Sequence, residues 1–141
     1  MTEPDEWSKK QTEPLGIFDL ANKWAEALKV LGTGNGAGLV AAGVSLSSFS
    51  KNPPMLPFIK LGGVCFFVGV ITFAIAFALV QLAIFSYDEM LHAVRGKSPE
   101  LAHTSKTTSS SAMVAANRLA IVSALAFFVG IFLGLIAFLK A

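Results

Sequence analysis

Five ionisable side chains lie close enough along the chain to hold a cation or move a proton. They are Asp88, Glu89 and His92, followed by Glu100 and His103. On a helix Asp88 and His92 share a face at i, i+4, as do Glu100 and His103 at i, i+3. Carboxylate–histidine pairs are the raw material of a metal site, and the second pair has the Glu-x-x-His spacing found in di-iron helical proteins. Such a centre needs further carboxylates on facing helices, and the apolar segments of this chain carry none. These residues therefore read as a solvated helix end with local charge pairing. Neither a metal nor a cofactor is expected.

Two other patterns carry little chemistry. Gly36–Ala37–Gly38–Leu39–Val40–Ala41 fits GxGxxA, a variant of the dinucleotide fingerprint. That fingerprint needs a strand before it and an acidic residue about twenty positions later, where this chain has Leu56. Cys65 lies in an apolar run with no base or cation beside it to make a thiolate, so it reads as a packing residue.

The absences weigh more. No Asp, Glu, Lys, Arg or His falls in 30–49, 61–85 or 119–139. Proton relays, ion-coupled transport and voltage sensing depend on intramembrane ionisable groups. The chain is not expected to be an enzyme. Phe66, Phe73 and Phe77 line one side of the second segment. Without convergent polar groups they suit helix packing and lipid contact better than a pigment or quinone.

The elements that would position these residues are membrane helices. Hydrophobic residues make up 54% of the chain and charged ones 14%, against about 25% charged in soluble domains. The net charge of +2 is too small and too dispersed to suggest nucleic acid as a partner. Residues 61–85 form an uncharged run of 25, reaching ~37 Å as a helix against a hydrocarbon core of ~30 Å. Residues 1–14 are polar, carry Pro4 and Pro14, and read as disordered. Residues 15–31 repeat apolar positions at helical spacing from Ile17 to Leu31. They read as an amphipathic helix in the bilayer interface, with Phe18 and Trp24 as anchors; packing on the protein's own surface is the competing reading.

Residues 32–141 form the membrane domain, with spans near 32–50, 57–86 and 112–139 and a cytoplasmic loop over 87–111. The first span is rich in glycine, and Gly34–Asn35–Gly36 suggests a bend where it meets the amphipathic helix. Lys51 to Pro57 makes a tight turn. Tyr87 stands at the expected aromatic belt. Helix 2 continues to Gly96, where Pro99 stops it, and the Ser/Thr-rich stretch 98–111 reads as a flexible loop ending in a helix cap. The fold expected is an all-α bundle of three transmembrane helices, with the N-terminal interfacial helix and long cytoplasmic extensions of helices 2 and 3.

Small residues recur every fourth position at Gly34, Gly38 and Ala42, and again at Ala126, Gly130 and Gly134. Spacing of this kind lets helix backbones approach closely in lipid, so these six are the expected helix-packing interface. Eight of the 11 Lys and Arg fall on the side of the N-terminus and the 86–118 connection, and three (Lys51, Lys60, Lys140) on the other. The positive-inside rule makes the first side cytoplasmic and puts the C-terminus outside. The expected setting is the cytoplasmic membrane of a bacterium. The expected role is helix–helix association, in a homo-oligomer or as an accessory subunit of a membrane complex. The alternative is a holin-like or defence-effector pore, with Asn35, Ser45 and Ser48 facing its lumen.

Overall fold

Two prolines stand where helices begin. Pro57 and Pro99 occupy first-turn positions, where a missing N–H breaks no helical hydrogen bond. The computed structural model describes residues 17–49, 51 and 53–140, with side chains from residue 22 onward. These form three helices: α1 (Ile17–Ser48), α2 (Leu56–Arg95) and α3 (Pro99–Leu139). All three are long and apolar enough to cross a membrane. They pack on one another, α2 most closely with α3 and α1 least with α3. The polar segment 1–14 and the start of the expected amphipathic helix, Leu15 and Gly16, lie outside the described residues.

Three expectations about boundaries need correction. The helix expected over 15–31 and the span expected over 32–50 are one helix, helical without interruption through Gly34–Asn35–Gly36. Neighbouring helices hold that segment, so its low intrinsic propensity does not break it. The connection expected over 87–111 is much shorter. Gly96, Lys97 and Ser98 join α2 to α3, and the Ser/Thr-rich stretch forms the first turns of α3. Thr104 Oγ1 donates to the Glu100 carbonyl at 3.0 Å, and Thr107 Oγ1 to that of His103 at 3.0 Å. These hydroxyls satisfy themselves within the helix rather than opening it.

The 96–98 turn closes α2 with a Schellman motif. Ser98 N–H donates to the Ala93 carbonyl (2.9 Å) and Lys97 N–H to that of Val94 (3.3 Å). The left-handed position of this motif is Lys97, at φ 55°, while the glycine sits one residue earlier. Arg95 places positive charge on the last turn of α2, where the helix dipole favours it.

α2 and α3 run antiparallel along a seam of small residues seven apart on each helix. Gly62 faces Gly130, Gly69 faces Ser123, Ala76 faces Ala116 and Ala83 faces Ser109. A Cβ on Gly62 would lie 3.5 Å from the Gly130 carbonyl oxygen. Ala76 and Ala116 share one buried cluster. Two rungs are polar: Ser123 Oγ donates to the Gly69 carbonyl at 2.9 Å, and Ser109 Oγ to the Ala83 carbonyl at 2.8 Å. A seven-residue period keeps the contact line straight along helices that cross at a shallow angle of about 20°.

Large side chains mostly point outward. Phe85, Phe128, Phe132 and Leu139 are 63–80% exposed, whereas the largest fully buried side chains are Leu28, Val80, Asn35 and Ser123. The interior is therefore too thin for aromatic layers, and less than a quarter of each helix's most apolar stretch is covered. Such an arrangement suits hydrocarbon as the surrounding solvent, where only backbone polar groups must be satisfied internally.

Candidate functional site

All three helices meet through hydrogen bonds at one level, where Asn35 enters from α1. Its side chain is fully buried. Asn35 Nδ2 donates to the Leu31 carbonyl at 3.0 Å, to Ser123 Oγ at 3.1 Å and to the Ser123 carbonyl at 3.3 Å. Ser123 Oγ in turn donates to the Gly69 carbonyl of α2. Asn35 Oδ1 is enclosed without a hydrogen-bond partner. It crowds the place that a Cβ on Gly69 would take. Only glycine at 69 admits the amide, so the junction depends on three residue types at once. The pore reading places Asn35 at a lumen; here a single copy encloses it, while Ser45 is half-buried and Ser48 exposed.

Phenylalanine rings fill the notches on either side of this level. The Phe66 ring lies between Gly38 of α1 and Gly130 of α3, and a Cβ on Gly130 would come within 2.7 Å of it. Phe73 packs against Gly32, and Phe127 sits 2.9 Å from where a Gly34 Cβ would be. The rings of Phe66 and Phe127 meet edge to face with centroids 6.2 Å apart. Of the six expected packing residues, Gly34, Gly38 and Gly130 thus receive a ring from a neighbouring helix. Ala42 approaches Gly63 and Ala126 is half-buried. Gly134 has open space around it, as do Gly36 and Gly43.

The ionisable cluster does not converge. His92 Nε2 lies 3.7 Å from Asp88 Oδ2, with both side chains more than half exposed. Glu89 points elsewhere and accepts a hydrogen bond from Ser105 Oγ at 3.0 Å. Among the described residues no three His, Cys, Asp or Glu side chains come together, and Glu100 and His103 stay on the exposed start of α3. The GxGxxA stretch is helical throughout and forms no phosphate-binding turn. Cys65 is half-buried.

The expected interface anchors behave differently from one another. Trp24 packs against the cluster formed by Leu28, Val80, Ala116 and Ala120. Leu28 is almost fully buried, so this face of α1 packs against α2 and α3. Tyr87 is half-buried and borders a depression with Ser109 and Met113. Phe18 lies in the first turn of α1, and its side chain is outside the described residues.

An apolar groove of about 290 Å³ opens at the end nearer the 49–55 connection. Residues of all three helices line it, including Ala42, Gly62, Phe66 and Gly134. Sequence reasoning missed this groove and the Asn35 junction. The available signal was the seven-residue repeat of small residues at 62, 69, 76 and 83 and at 109, 116, 123 and 130, overshadowed by the more familiar four-residue spacing. The chain matches no protein-family model, no curated protein and no solved structure.

Proposed function

We propose that this is a multi-pass membrane protein that acts by helix–helix association, as a homo-oligomer or as an accessory subunit of a membrane complex. The supporting observation is the outward side of α1. Gly36 and Gly43 lie seven residues apart, and among the described residues nothing stands within 4 Å of a Cβ on either. This is the same spacing that joins α2 to α3. Ala37 and Val40 are exposed between them. A helix from another chain gains close backbone approach on such a face, which is the main source of association in lipid.

Charge positions suggest the depth in the bilayer. Along its helix axis Lys60 lies ~14 Å from the Asn35–Gly69–Ser123 level. On the opposite side Lys29 lies ~9 Å and Arg118 ~8 Å from that level. These side chains bury their stems and extend their charges outward, which widens the uncharged slab to about the ~30 Å of a hydrocarbon core. At this depth the α2–α3 hairpin extends well beyond the slab and carries exposed Leu82 and Phe85 with it. That apolar surface beyond hydrocarbon further favours a protein partner. The eight-to-three division of Lys and Arg supports an N-terminus in the cytoplasm, and the reading is of a bacterial inner-membrane protein.

Mass measurement after purification in mild detergent tests the association. The wild type is expected as an oligomer or with a co-purifying membrane protein. Gly36→Ile with Gly43→Ile is expected to release a folded monomer with unchanged helicity. A wild type that is strictly monomeric and partner-free removes the proposal.

A further inference from the structure

We propose that the groove at the 49–55 end binds one acyl chain of an anionic phospholipid, with the lipid phosphate held by Lys140 and Lys60. The groove is a different face from the Gly36–Gly43 side of α1, so the proposal stands apart from the association reading. Its lining is apolar except for the Ser45 hydroxyl, which excludes a polar ligand. The floor is Phe66 against Gly130, and the mouth lies near Met55 and Phe138. From Phe66 to Met55 is ~16 Å along the helix axis. A helix of ~10 Å diameter over that length occupies on the order of 1,200 Å³, far more than the groove provides. A single extended polymethylene chain, ~4.5 Å across at contact distance, fills on the order of 250 Å³ and matches it.

Charge decides the headgroup. Lys140 Nζ sits 4.9 Å from the centroid of the Phe58 ring, and Phe58 lines the groove. Lys51 and Lys60 are exposed at the same end. Among the described residues Asp and Glu occur only at 19, 26, 88, 89 and 100, all in the halves of the helices away from this end, and no ion pair of these lysines is found there. A cationic rim above an apolar slot complements a phosphate joined to a hydrocarbon chain. A zwitterionic headgroup carries its own cation and gains less.

The test uses the full chain in mild detergent, with phosphatidylglycerol and phosphatidylcholine titrated separately and retention read by native mass spectrometry. Each lysine near the phosphate is worth about fivefold, so the wild type should prefer phosphatidylglycerol by at least tenfold. Lys60→Gln with Lys140→Gln should bring phosphatidylglycerol down to the phosphatidylcholine level. Gly134→Phe places a ring where there is now open space and should cut retention of both lipids at least tenfold without loss of helicity. If that variant misfolds, Ala41→Phe fills the groove from the α1 side and gives the same reading. Equal retention of the two lipids by the wild type overturns the proposal. So does full retention by a folded groove-filled variant. Dimers cross-linked through Gly134→Cys in a Cys65→Ala background would put a second copy in the groove and overturn it too.

Discussion

The two halves of the α2–α3 seam use different means to bring backbones together. Towards the 49–55 connection the rungs are glycines, and the space they leave is taken by Phe66 and, beyond it, by the groove. Towards the 96–98 turn the rungs are Ala76–Ala116, which share one buried cluster, and Ala83–Ser109, joined by the Ser109 hydroxyl to the Ala83 carbonyl. Both halves keep the seven-residue period. The glycine half thus adds an aromatic wedge and an open slot to its backbone contact, while the other half relies on alanine packing and a serine hydroxyl.

The sharpest way to break this comparison is at the point where the halves join. Gly69→Leu puts side-chain atoms where the Asn35 carboxamide lies. It is expected to destabilise by about 3 kcal/mol, measured by thermal or denaturant unfolding in detergent. Gly62→Ala, one rung away, meets only ordinary contacts at 3.5 Å and 3.7 Å and should change stability by less than about 0.5 kcal/mol. Equal losses at both sites would mean that the junction is not special.

Smaller effects are expected towards the 96–98 turn. Lys97 holds a left-handed backbone conformation, so Lys97→Gly should stabilise by about 1 kcal/mol in the same unfolding measurement. Ser109→Ala removes one hydroxyl bond to a carbonyl that is already in a helix. Its expected cost is about 0.6 kcal/mol, the typical size of such bonds between membrane helices. A loss several times larger would make the serine rungs, rather than close packing, the source of cohesion in that half.

Much of the helical content follows from local pattern. The uncharged runs at 61–85 and 119–139, the prolines at 57 and 99 and the turn at 51–57 mark α2, α3 and the first connection with no reference to neighbours. The stretch 98–111 did not read correctly because Ser and Thr have weak helix propensity. Ser105 and Ser109 become helical by burying against α2, a long-range event. The four-residue lines at 34–38–42 and 126–130–134 mixed two kinds of position. Gly130 receives the Phe66 ring and Gly134 faces open space, although they are one turn apart.

What the sequence determined by itself is span: long uncharged apolar runs give three helices long and apolar enough to cross a membrane. Which small residues touch, and what enters the gaps, was decided only by the antiparallel register of α2 and α3. In that register Gly69 stands opposite Ser123, and Asn35 reaches both. Spacing along one helix defines a face; the partner sharing its level is set by side-chain volumes on all three helices together. Asn35 faces a lumen only in the alternative pore reading of the sequence; among the described residues it and Ser123 are fully buried polar side chains.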